Sequence, residues 1–272
     1  MAALLALGFT YAGLVVMLKL SEDRMVFPVA PWAAGLADPH PGLNPVRVEL
    51  TTADSVRLVG WRMGGPADTA ALWLLMFHGN GGDISLAGRQ EHYAALRALG
   101  LNLLTVDYRG YGESGGEPTE AGVYRDAEAA YAYLRDSVAV PPERVLIFGH
   151  SLGSAVAVDL ASRVPSRGLI LEGAFTSVPD VAQRTYFFVP VRSLARNRFD
   201  AAEKIGRVKI PILFLHATRD EIIPYDLGRR LYELAPGPKR FVDLGGGHND
   251  AYAADSAAYF GGVARFLQDL GR

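Results

Sequence analysis

No cysteine occurs among the 272 residues, which excludes disulfides, thiolate metal sites and cysteine nucleophiles. Charge imbalance is missing too. The 27 basic and 29 acidic side chains leave a formal charge of −2, and no long basic run offers a surface to nucleic acid. His40, His92, His150 and His216 pair with no acid at metal-ligand spacing, so no metal is expected. No nicotinamide fingerprint, internal repeat or low-complexity tract is visible.

One local absence is informative. From residue 2 to residue 18 no side chain is charged. As a helix this stretch reaches roughly 25 Å, enough for a thin hydrocarbon layer. Its apolar character runs all round, unlike a helix lying in the interface. A cleaved signal peptide would want a basic start and a small-x-small cleavage site, whereas the chain leaves through Met17-Leu18-Lys19-Leu20. A buried soluble helix is the other alternative. Residues 1–20 are therefore expected to form an uncleaved single-pass membrane anchor, with a lipid bilayer as partner. Lys19 and Arg24 follow it, which favours the cytoplasmic side for the rest of the chain. Pro28, Pro31, Pro39, Pro41 and Pro45 mark 21–45 as a stiff tether that lifts the domain off the bilayer.

Residues 46–272 then alternate in pattern. Strands are expected over 46–50, 56–63, 72–77, 101–106, 144–148, 169–171, 210–216 and 240–244. Helices are expected over 85–99, 119–137, 151–163, 226–234 and 250–270. Buried strands separated by helices mean an α/β fold: a mostly parallel central sheet with helices on both faces, opened by an antiparallel hairpin. Residues 174–206 break the rhythm. They are too long for a bare connection and dense in aromatics and Arg, and read as a short cap insertion after the sixth strand.

Gly149-His150-Ser151-Leu152-Gly153 fits a nucleophile elbow, in which a serine sits on a strained turn between strand and helix and needs small neighbours on both sides. Gly112-Glu113-Ser114-Gly115-Gly116 matches as well, but no helix begins directly after it, so Ser114 reads as a turn residue. A serine hydroxyl needs a base and an orienting carboxylate, and in folds with this elbow they follow in the order Ser, acid, His. His248 lies in a glycine-rich loop after the last strand, and Asp220 or Glu221 after the preceding one. His78-Gly79-Asn80-Gly81-Gly82 lacks the Lys-Ser/Thr ending of a phosphate loop. It instead offers the Asn80 N–H to an oxyanion, with the Leu152 N–H as second donor. Asp107 and Glu172 end other strands and read as loop anchors.

Six blocks together resemble the α/β-hydrolase superfamily, and in particular the Bem46 group with the related ABHD13 and ABHD17 proteins. They are FHGNGGDIS (77–85), DYRGYGESGGEPTE (107–120), GHSLGSAVA (149–157), LEGAFTSVPD (171–180), HATRDEIIP (216–224) and GGGHND (245–250). The resemblance implies a serine hydrolase with a Ser151–Asp220–His248 triad, the spacing of Asp220 to Pro224 selecting Asp220 over Glu221. It implies no cofactor, and hydrolysis of a carboxylic ester or thioester through an acyl-serine intermediate. Substrates in that neighbourhood include lysophospholipids and monoacylglycerols. The N-terminal cysteine cluster of its depalmitoylases is absent here. A prolyl-type peptidase and a non-catalytic, membrane-tethered binding protein are the alternatives. In the insertion, Phe175, Tyr186, Phe187 and Phe188 are expected to line an acyl channel. Arg184, Arg192, Arg196 and Arg198 are expected to face anionic head groups.

Overall fold

Strands made of consecutive apolar residues are satisfied only by burial on both faces, and the central strands show this. In the computed structural model, which describes residues 1–29, 35–65 and 71–271, the chain runs α1 (Ala2–Val26), β1 (Val46–Thr51), β2 (Arg57–Met63), β3 (Trp73–Phe77), α2 (Ala87–Ala98) and β4 (Asn102–Val106). It continues through α3 (Glu120–Ala132), β5 (Val145–His150), α4 (Leu152–Ala161), β6 (Gly168–Glu172), α5 (Val178–Thr185), α6 (Val191–Leu194) and α7 (Ala201–Ile205). The last elements are β7 (Ile212–Ala217), α8 (Tyr225–Leu234), β8 (Lys239–Leu244), α9 (Ala251–Ala254) and α10 (Ser256–Leu270). Every residue of β3, β4, β6 and β7 is buried, whereas the edge strand β1 buries only Val48 and Leu50.

The eight strands form one sheet in the order β1-β2-β4-β3-β5-β6-β7-β8. β1 pairs with β2, and β2 with β4, antiparallel; every other pair is parallel. The strand order reverses between β3 and β5, so the loops leaving these two strands part in opposite directions and open a crevice at their C-terminal ends. Two apolar layers cover the sheet. One gathers Phe77, Leu104, Val123 and Val156, the other Leu74, Phe148, Tyr259 and Phe266.

The N-terminal segment departs from expectation. α1 continues to Val26, beyond the expected anchor, and its last turns bury Glu22 and Val26 against the domain. The Glu22 Oε1 accepts hydrogen bonds from the N–H groups of Arg196 and Asn197 at 2.6 and 2.7 Å. Further on, the Ala37 N–H donates to the Ser85 hydroxyl at 2.7 Å, and Leu43 is buried. The described part of 21–45 therefore lies on the domain and does not hold it away, because these backbone donors and apolar side chains find their partners there. Pro31 lies outside the described residues. The C-terminal helix also differs, breaking at Asp255, whose carboxylate turns back to accept the Gly245 N–H at 3.0 Å.

Candidate active site

Ser151 stands between β5 and α4 with φ +53°, a left-handed backbone that a non-glycine residue adopts only under constraint. The glycines around it have a different reason from the one the motif suggests. A Cβ on Gly149 would lie 2.1 Å from the Gly153 carbonyl oxygen, and one on Gly153 would lie 2.2 Å from the Phe77 carbonyl oxygen. They are small because the elbow's backbone is pressed on itself and on β3, not because larger side chains would strike the serine. The Ser151 N–H donates to the Glu172 carbonyl at 2.9 Å, fixing the turn to the end of β6.

The hydroxyl of Ser151 lies 2.8 Å from His248 Nε2, and His248 Nδ1 lies 2.7 Å from Asp220 Oδ2. All three residues are largely withdrawn from solvent. Burial raises the proton affinity of the Asp220 carboxyl, but the His248 hydrogen bond and charge, with the N–H groups of Ile222 and Ile223, outweigh it and hold the group below its ordinary value. An ionised Asp220 only accepts, so Nδ1 carries the proton and Nε2 is left free to accept from Ser151.

The neighbouring Glu221 does something else: its Oε2 accepts the backbone N–H of His248 at 3.1 Å. From the other side, His150 Nε2 donates to the His248 carbonyl at 3.1 Å. Burial, followed by the nearby His248, pushes the His150 imidazole down to about 3, so it is neutral and acts as a fixed donor. His216 Nε2 donates to the Ile223 carbonyl at 3.1 Å and supports the Asp220 loop in the same way. His150 reaches from the end of β5 to the loop after β8, whereas His216 ties the end of β7 to the loop that leaves the same strand.

Asn80 and Leu152 both border the space in front of Ser151. Leu152 opens α4, where a backbone N–H has no intrahelical acceptor. The Asn80 side chain donates to the Val26 carbonyl at 3.2 Å, which ties this loop to the end of α1. Ser114 and Asp107 sit apart, as expected. The Ser114 hydroxyl donates to the Asp107 carbonyl at 2.8 Å, and the Asp107 Oδ1 accepts the Ile84 N–H at 2.9 Å.

Two pockets meet at Ser151. One, of about 240 Å³, is almost wholly apolar and runs beneath α5 and α6; Phe175 and Tyr186 line it as expected. Phe187 and Phe188 do not. They are 79% and 46% exposed and point away from the pocket, so the four-aromatic channel is corrected to two. The second, of about 480 Å³, is more polar and includes Arg89, His92, Glu172 and Tyr252. The cap arginines are about half exposed, each beside a carboxylate: Arg184 with Asp226, Arg192 with Asp180, Arg196 with Asp23 and Arg198 with Asp200.

Known proteins are similar to this chain. The chain is 36% identical over 260 residues to the uncharacterized protein Rv2307c of Mycobacterium tuberculosis, covering 95% of this chain and 91% of that one. It is 38% identical over 183 residues to the human alpha/beta hydrolase domain-containing protein 17B, covering 65% and 60%. It is 35% identical over 184 residues to the lysophosphatidylserine lipase ABHD12 of Danio rerio, covering 61% of this chain and 48% of that protein. Among solved structures, the Pyrococcus furiosus esterase Pf2001 superposes with a TM-score of 0.71 at 21% identity, over 86% of this chain and 96% of that one, a likeness of fold. The sequence pattern of the alpha/beta hydrolase family matches residues 74–261, from the first parallel strand into the last helix. With that match extending over most of the sheet, and the strand order to go with it, the chain belongs to the alpha/beta hydrolase family.

Proposed function

We propose that the protein hydrolyses carboxylic esters or thioesters of acyl substrates through an acyl-Ser151 intermediate, and that α1 attaches it to a lipid bilayer. The observation that carries the reading is the hydrogen-bonded series Ser151–His248–Asp220, with its serine opening on an apolar pocket. Ser151 Oγ attacks the acyl carbonyl while His248 Nε2 takes its proton. The backbone N–H groups of Asn80 and Leu152 hold the oxyanion, each worth on the order of 3 kcal/mol in the transition state. His248 then protonates the leaving alcohol or thiol, and water repeats the sequence to release the acid. The name of the Danio rerio relative, a lipase, supports an acyl ester of lipid type. The test is labelling by a fluorophosphonate together with turnover of a panel of acyl esters. Both should be present in the native protein and absent in Ser151→Ala. Turnover that survives in Ser151→Ala would overturn the assignment.

A further inference from the structure

The apolar pocket is not closed by the hydrolase domain alone. One side comes from the cap, through Val178, Val181 and Ala182, and the floor from Ser151 and Leu152. The facing side is α1, through Val15, Leu18, Met25 and Val26. We propose that the C-terminal half of α1 is one wall of the acyl site, so that an acyl chain drawn from a lipid leaflet lies between α1 and α5 with its carbonyl at Ser151. This rests on the hydrolase reading above and specifies how its substrate is held.

Four features of α1 fit a binding wall better than a passive anchor. Its inward residues recur at helical spacing, with Leu14, Val15, Leu18, Lys19, Glu22 and Val26 at least partly covered, while Leu4, Leu5, Leu7, Phe9, Val16, Met17 and Leu20 stay exposed. The two charged residues in the lining are tied off. The Lys19 amine donates to the Leu194 carbonyl, and the Glu22 carboxylate accepts from Arg196 and Asn197, so their stems line the pocket while their heads face elsewhere. The last carbonyl of the helix, at Val26, has no intrahelical donor and is satisfied by the Asn80 side chain, which joins the helix end to the loop assigned to the oxyanion. Finally, Val15 to Val26 extends about 16 Å, from the exposed apolar half of the helix to the serine. A chain following that wall needs no passage through water.

The test uses the full-length protein in detergent micelles or vesicles. Leu18→Trp and Val15→Trp fill the pocket from the α1 side; Val16→Trp places the same bulk on the outward face. The ratio of kcat/KM for p-nitrophenyl laurate over p-nitrophenyl acetate should fall by about tenfold or more in the first two, as buried methylenes lose their contacts, and stay put in the third. A ratio unmoved by both pocket variants, or moved equally by Val16→Trp, overturns the proposal. A photoreactive diazirine fatty acid gives a readout independent of turnover. Its cross-links should fall on peptides from both α1 and α5, be displaced by excess laurate and be lost in Leu18→Trp. Cross-links confined to the cap would overturn the proposal even in an active enzyme. Competed cross-links on α1 in a protein that hydrolyses no ester would refute the hydrolase reading and leave the pocket standing.

Discussion

Asp220 and Glu221 are adjacent in sequence and hold His248 at two different points. Asp220 orients the imidazole ring, and Glu221 fixes the backbone that carries it. Asp220→Asn should therefore lower ester turnover on the order of 10⁴-fold, because an asparagine favours the wrong imidazole tautomer. Glu221→Gln keeps an acceptor oxygen and should cost far less; comparison of kcat/KM for the two variants checks the division. Glu172 makes a different claim. Burial raises its carboxyl to about 7, against a hydrogen bond from Tyr259 at 2.8 Å. The folded chain then binds a proton more tightly than the unfolded one, so this contribution is full below the unfolded value near 4.5 and is lost as pH rises towards 7. Glu172→Gln should flatten the decline of Tm between pH 5 and pH 8, each kcal/mol removed being worth roughly 2–4 °C. A decline as steep as in the native chain would show that Glu172 is not its source. The convergence of Ser151, His248 and Asp220 was legible because strand ends and glycine loops mark these positions in the sequence. The contacts that His150 and Glu221 make with His248 were not, since they depend on which loops meet across the sheet.

At the scale of elements, the alternation of apolar runs and amphipathic stretches gave strands and helices within a few residues, because burial on two faces leaves little else for such runs to do. α1 resisted that reading. A helix apolar all round shows no preferred face, so nothing local announced that one side of it meets the cap 174 residues later. Glu22 is one polar fastening of that contact, beside Tyr11, Lys19 and Asp23. Glu22→Ala would strip the acceptor from the N–H groups of Arg196 and Asn197, costing about 1–3 kcal/mol for a buried donor left unmatched. Thermal unfolding in micelles should show the loss, and Glu22→Gln should recover part of it. A Glu22→Ala protein as stable as the native one would mean that Glu22 adds nothing net to the docking of the helix.

For the whole molecule, the docking of α1 limits how it can enter a bilayer. The Tyr11 hydroxyl donates to the Phe188 carbonyl at 2.9 Å, so the cap reaches the middle of the apolar stretch. Only residues 2–10 project freely beyond that contact, about 14 Å of helix, roughly half of a 30 Å hydrocarbon core. A full span with α1 docked would carry the cap backbone at Phe188 into hydrocarbon, where unmatched polar backbone groups are costly. Under the proposed membrane attachment, entry into one leaflet would set exposed Phe187 and Phe188 at the interface, a level that suits aromatic rings. The absence of native cysteine makes the depth directly measurable, because a single introduced thiol is unique. In sealed vesicles with the domain outside, Ala3→Cys should resist a water-soluble maleimide both before and after the membrane is made permeable, whereas Arg24→Cys should react at once. Labelling of Ala3→Cys that appears only on permeabilisation would place the N-terminus in the lumen, and the helix would then have to leave the cap to cross.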